Sequence, residues 1–229
     1  MLGTLVNTVV VIVGALLGML FKKGIPERIS GAVIKAFGLI TLYIGMQGAF
    51  QGKSPYVLIL SIALGTMLGE AADLQKSIER FADGLEKRFA GNEENTIAQG
   101  FITATMMFCM GAMAIVGSMD GGLRGDHTLI FTKSTLDFIS AMLLASSMGI
   151  GVMFAAAAVL VYQGSIVLLS GLIAPFLSEL VITEISAVGS VLLMGLGFNL
   201  LGVTRLRIMN YIPAVFLPIL LVPLLSLLG

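Results

Sequence analysis

Residues 3–21 read GTLVNTVVVIVGALLGMLF and are followed at once by Lys22-Lys23. The run carries no charged side chain, and as an α-helix rising about 1.5 Å per residue it nearly spans the roughly 30 Å hydrocarbon core of a bilayer. It reads as a membrane-crossing helix. No basic residue precedes it, unlike the charged start of a cleavable signal peptide, so it is expected to be retained. Outward from this run the pattern repeats at 30–50, 55–73, 97–118, 134–156, 159–180, 186–204 and 210–228.

Composition agrees with these runs. Hydrophobic residues make up 57% of the chain and charged ones 11%, with a mean hydropathy of +1.03, which leaves too little polar surface to cover a soluble globule. The expected fold is an all-α integral membrane protein of about eight transmembrane helices. It forms one transmembrane domain over 1–229: three helices in 1–73, a connector at 74–95 and the remaining helices in 96–229. The joint between the fifth and sixth runs is poorly marked, since Gly149, Gly151 and Gln163-Gly164 all offer breaks. Seven helices, one of them bent or discontinuous, is the alternative.

Lysine and arginine placement sets an expected orientation. With the N-terminus outside, Lys22, Lys23, Arg28, Lys76, Arg80, Lys87, Arg88, Arg205 and Arg207 lie inside, against Lys53, Arg124 and Lys133 outside. The expected location is thus the bacterial cytoplasmic (inner) membrane, multi-pass. In the connector, Leu74, Ile78, Phe81, Leu85 and Phe89 recur at helical spacing, which predicts an amphipathic helix along the cytoplasmic interface. Its mixed charges argue for a tether between two halves rather than a polybasic lipid sensor.

Several chemistries find no support. Formal net charge is zero, so nucleic acid is not an expected partner. Cys109 is the only cysteine and His127 the only histidine. Cys109 reads as a buried small apolar residue and His127 as solvated, with no metal site, and no cofactor motif occurs.

Repetition points toward transport architecture. Shifting the second run by 102 positions lays Gly31, Lys35, Gly38, Leu42, Gly45 and Ala49 over Lys133, Asp137, Ser140, Leu144, Ser147 and Gly151. The second and fifth runs should cross in opposite directions, so this echo suggests a partial inverted repeat. Glycine pairs at Gly14/Gly18, Gly65/Gly69 and Gly197/Gly202 suit close helix packing, within the chain or in a homo-oligomer such as a dimer.

Ionisable residues inside a membrane are costly and mark pathways or partners. Asp137, near the start of the fifth run, leads a stripe continued by Ser140 and Ser147, with Lys133 one turn before it. The stripe can offer oxygen ligands to a dehydrated cation or a carboxylate that exchanges a proton, while an interfacial Lys133–Asp137 pair is the plainer reading. Lys35 either snorkels to the surface or partners Asp137 or Glu70. Asn7, Gln163, Asn199 and Asn210 can bind solute or join helices, and Asn199 draws notice beside Gly197. The small-residue stretch 108–126 can unwind, so Asp120 and Asp126 would form an outer cation vestibule or an ordinary loop.

The opening run with Lys22-Lys23-Gly24, the Gly65–Gly69 helix leading to Glu70, the run Gly111-Ala112-Met113-Ala114-Ile115-Val116-Gly117-Ser118, Gly125-Asp126 and Lys133-Ser134 before Asp137 together resemble the YdfK/YqgA-type bacterial membrane family. The resemblance covers nearly the whole chain. It implies a domain of unknown function for which a sodium channel or pump role has been suggested, and no established site. The expected function is therefore a transporter or channel for an ion or small solute, with Na⁺ the first guess. No phosphate-binding loop is present to drive it with ATP. A non-transporting scaffold or regulator is the second reading. An enzyme is not expected, and an intramembrane aspartyl protease built on Asp126 and Asp137 is the remote alternative.

Overall fold

The structure is a computed structural model that describes residues 1–22, 26–77, 79–80 and 96–227. In hydrocarbon a backbone must satisfy its own polar groups, which favours helices for apolar runs. Among the described residues every regular element is helical. These elements are α1 (Leu2–Lys22), α2 (Glu27–Ala49), α3 (Pro55–Ala72), α4 (Thr96–Cys109), α5 (Ala112–Leu123), α6 (Thr128–Met148), α7 (Gly151–Ile173), a 3₁₀ turn (Ala174–Phe176), α8 (Glu179–Leu200), a 3₁₀ segment (Ile208–Phe216) and α9 (Pro218–Ser226). Six of them are long and apolar enough to cross a membrane, or eight crossings result if the bent pairs α4–α5 and 3₁₀ segment–α9 each count as one.

Local sequence explains the breaks. The fourth run divides where Gly111 takes φ 135°, and its halves meet at 62°. The eighth run holds Pro213, Pro218 and Pro223, which lack backbone donors; its first half winds as a 3₁₀ helix and bends by 40° into α9. The expected fifth and sixth spans, 134–156 and 159–180, are shifted in the structure. Here α6 starts earlier, at Thr128, because polar Thr128, Thr132 and Lys133 are compatible with helix although they dilute the apolar signal. It stops at Met148, where Gly149 (φ 72°) sends its N–H back to Ala145 O at 2.9 Å. This correction moves Asp137 from near a helix start to the midpoint of the 21-residue α6.

The chain divides into two compact units. The first comprises Met1–Phe37, Ile78–Cys109 and Met113–Gly171. Within it α1 lies directly against α6: a Cβ on Gly14 would stand 2.6 Å from Phe138 O, and one on Gly18 would strike Met142 O. The second comprises Gly38–Ser77, Met110–Ala112 and Leu172–Gly229. In it Gly38 and Gly197 bring α2 against α8, while Gly65 and Gly69 bring α3 against Ala214 and Asn210 of the 3₁₀ segment. Gly202 takes φ 76° just past α8 and would meet nothing with a Cβ, so it turns the chain rather than packing a helix.

Of the amphipathic connector expected at 74–95, residues 74–77 and 79–80 are helical. Ile78, Phe81, Leu85 and Phe89 lie outside the described residues.

Candidate ion-pathway site

Lys133 and Asp137 stand one turn apart on α6, a spacing that places both side chains on one face. The face points inward in the first unit. Lys133 Nζ lies 2.5 Å from Asp137 Oδ2, and each side chain is only 7% exposed. Asn7 on α1 donates to the same oxygen at 3.0 Å and also reaches Gln163 Oε1 on α7 at 3.3 Å. The Lys133 ammonium sits 5.9 Å from the centre of the Phe108 ring on α4, within cation–π range. Side chains of α1 and α6 thus converge on one carboxylate, α7 joins them through Asn7, and α4 supplies an aromatic face.

The cluster leaves polar capacity over. Asn7 and Gln163 are fully buried, yet Asn7 Oδ1 and Gln163 Nε2 have no hydrogen-bond partner, nor does nearby Thr4 Oγ1 on α1. In a low-dielectric site such groups raise the free energy unless something visits them. The arrangement offers a carboxylate held by an ammonium, an amide oxygen and an amide N–H, a mixture able to exchange a cation or a proton. On the stripe, Ser147 is buried and Ser140 half-buried.

The other expected positions lie elsewhere. Lys35 is exposed on α2. Its suggested partners are engaged: Asp137 by Lys133, and Glu70 by Arg207 at 3.1 Å, with Arg207 also bonding Asp73. Asn199 ties down the turn after α8, donating to Leu206 O at 2.8 Å and accepting from Thr204 Oγ1 at 2.7 Å and Leu206 N at 2.9 Å. Asp120 on α5 faces Arg124 at 3.7 Å. Asp126 caps the start of α6, accepting from Thr128 N at 2.9 Å and Thr128 Oγ1 at 2.7 Å. Those bonds, led by the backbone one, hold its carboxyl below the ordinary carboxylate range. The acids of the expected outer vestibule are therefore used locally. Among the described residues no three His, Cys, Asp or Glu side chains gather as a metal site.

An open groove of about 350 Å³ runs beside the cluster, lined by Val6, Val10, Phe131, Ser134, Thr135 and Phe138. Its hydroxyls bond backward within α6, Ser134 to Ile130 O and Thr135 to Phe131 O. With those groups satisfied, its walls are mainly apolar.

Sequence reasoning missed Glu184. This α8 residue is fully buried in the second unit, its Oε1 accepting from the backbone N–H of Lys53 at 2.7 Å and Ser54 at 2.9 Å. The carboxylate caps the N-terminus of α3, where orphan N–H groups and the helix dipole favour an anion. Starting the seventh run at 186 placed this acid outside it. The Ser178 cap, which accepts from Val181 N, was the signal that α8 begins earlier.

Comparison with known proteins adds a family and no activity. Residues 2–223 match the family described as "Protein of unknown function (DUF554)". The chain is 31% identical over 222 residues to the "Uncharacterized membrane protein YdfK" of Bacillus subtilis (strain 168), covering 95% of this chain and 94% of that one. It is 29% identical over 220 residues to the "Uncharacterized protein YqgA" of Escherichia coli (strain K12), covering 94% of each. No solved structure matches it.

Proposed function

The chain belongs to the DUF554 family, and from that premise we propose that it moves a small monovalent cation across the membrane, with Na⁺ or H⁺ as the first candidates. The observation that carries this reading is the buried Lys133–Asp137 pair on a membrane-crossing helix, joined by Asn7 from α1 and through it by Gln163 from α7. Packing alone does not call for such a pair, since apolar residues of similar volume commonly stabilise as well or better.

The chemistry is a competition for one carboxylate. With the Lys133 ammonium on Asp137 the site is closed and neutral. A cation that takes the carboxylate must displace the ammonium, and Asn7 Oδ1 supplies a further oxygen near it. A monovalent ion replaces the ammonium charge for charge only when the Lys133 ammonium leaves the pocket as the ion enters, its side chain swinging out toward water. A divalent ion would leave excess positive charge in a low-dielectric site, where it is far more costly.

Two further parts of the reading rest on sequence and packing. The lysine and arginine asymmetry supports an outside N-terminus in a bacterial inner membrane. Gly14, Gly18, Gly65, Gly69 and Gly197 meet partners within this chain and Gly202 turns the chain, so the glycine pairs lend a dimer no support. A non-enzymatic role fits the carboxylates as well: Asp126 is exposed ahead of α6 and Asp137 lies buried on the same helix, unlike a dyad from facing helices.

Flux into proteoliposomes, measured for Na⁺, K⁺, H⁺ and divalent cations, tests the proposal. Wild type should pass a monovalent cation, and Asp137→Asn should lose at least tenfold. Undiminished flux in the variant would overturn the site. Absence of flux for every ion would favour the scaffold reading.

A further inference from the structure

The helices of the chain come in an order that repeats. Lengths of 21, 23 and 18 residues for α1, α2 and α3 are followed by a bent pair; 21, 23 and 22 for α6, α7 and α8 are followed by another. Sequence follows the same order, offset by 126 positions in the second helices and by 124 in the third. Gly38-Leu39-Ile40-Thr41-Leu42-Tyr43-Ile44-Gly45 aligns with Gly164-Ser165-Ile166-Val167-Leu168-Leu169-Ser170-Gly171, keeping Gly, Ile, Leu and Gly in place. Ser54, Val57, Ala63, Gly65, Thr66 and Leu68, the cap and body of α3, match Ser178, Val181, Ala187, Gly189, Ser190 and Leu192, the cap and body of α8.

Structure supports the register independently. Ser54 and Ser178 each cap their helix by accepting from Val57 N and Val181 N, both at 3.4 Å. In the second unit, Gly65 faces Ala214 just before the bend of the last pair, and its counterpart Gly189 faces Met110 at the bend of the other.

The direction of the first helices fixes the kind of repeat. Gly3 meets Ile130, Gly14 meets Phe138 and Gly18 meets Met142, so numbers rise together and α1 runs parallel to α6. If α4–α5 turned back without crossing, α6 would run against α1. Dimensions agree: the 14 residues of α4 rise about 21 Å, and the 12 of α5, inclined by 62°, add about 8 Å, close to one hydrocarbon thickness. The 3₁₀ segment and α9, nine residues each and bent by 40°, reach about the same height.

We infer that the chain is a tandem repeat of a four-crossing unit, 2–123 and 128–226, both copies in the same membrane orientation, with Asn7 and Lys133 at equivalent positions. Four crossings per copy make eight in all. This register differs from the 102-position echo, which needs oppositely directed helices. The repeat rests on helix order, sequence match and contacts and not on flux, but it deepens the transport reading: the Asn7–Lys133–Asp137 cluster lies where the two leading helices meet, and repeat junctions are where transporters commonly hold their substrate. At equivalent positions one copy supplies an amide and the other an ammonium, and that difference sets the charge of the site.

Membrane-impermeant maleimide labelling of single cysteines in a Cys109→Ala background tests the topology without requiring flux. Gln51→Cys and Phe176→Cys should label from one face of the membrane, and Lys76→Cys and Arg205→Cys from the other. Gln51→Cys and Phe176→Cys labelling from opposite faces would overturn the parallel repeat. Lys53→Cys and Pro175→Cys carry the same comparison if either first variant fails to accumulate. Failure here would leave the flux experiment standing, and lack of flux would leave the topology standing.

Discussion

Replacing Lys133 by methionine keeps most of the side-chain volume and removes the ammonium that lies 2.5 Å from Asp137 Oδ2. The carboxylate, itself 7% exposed, would keep the Asn7 amide at 3.0 Å and lose its charge partner. Stranding one member of a buried pair costs about 3–5 kcal/mol. Because a chain unfolded within lipid also finds polar partners, the lower end of that range applies, about 3 kcal/mol, or more than a hundredfold in the folding equilibrium. Removing both charges in Lys133→Met/Asp137→Leu should recover most of the loss and end within about 1–2 kcal/mol of wild type. Reversible unfolding in mixed micelles with increasing SDS, arranged as a double-mutant cycle, reads the coupling directly. A Lys133→Met loss below about 1 kcal/mol, or a double variant as unstable as the summed single losses, would refute the electrostatic account.

Two other outcomes follow from the same geometry. Gly18→Val places a Cβ against Met142 O and within 3.1 Å of the Ala145 Cβ, so it should cost about 1–3 kcal/mol in detergent melting, while Gly171→Ala, with nothing within 4 Å, should stay within about 0.5 kcal/mol of wild type. Asp126 should titrate below the ordinary carboxylate range in an NMR pH series, and Thr128→Ala should raise its midpoint. Its carboxyl is depressed on folding, so the stabilisation it gives is present above the unfolded value and lost as pH falls through the folded one; an unchanged midpoint in Thr128→Ala would count against the cap.

Much of the architecture was legible because membrane helices announce themselves by composition. The first three runs end at Lys22-Lys23, the Ser54-Pro55 cap and the charged connector, and α1–α3 fall within a few residues of them. Boundaries failed where polarity and helicity part company, as in Thr128–Lys133, whose residues continue α6 without looking apolar. The bend at Met110-Gly111 was hinted at by small residues but not located. At the site, the i, i+4 spacing of Lys133 and Asp137 was readable, since it depends on one helix. The partnership with Asn7 was not, because it joins residues 130 positions apart, and local pattern carries no record of which helices become neighbours. Glu184 stayed hidden for the same reason: its partners are backbone N–H groups 130 and 131 residues away.

Those long separations have a consequence for how the protein is made. Lys53 and Ser54 leave the ribosome with their N–H groups lacking the carboxylate that will later bind them, and Asn7 waits as long for Asp137. At about 5–20 residues per second, translation imposes a delay of roughly 7–25 s. During that interval the early helices must be held by water, lipid headgroups or the insertion machinery. Maturation is therefore clocked by the second half of the chain, and a ribosome stalled before Glu184 would leave a membrane-inserted but unfinished protein exposed to quality-control proteolysis.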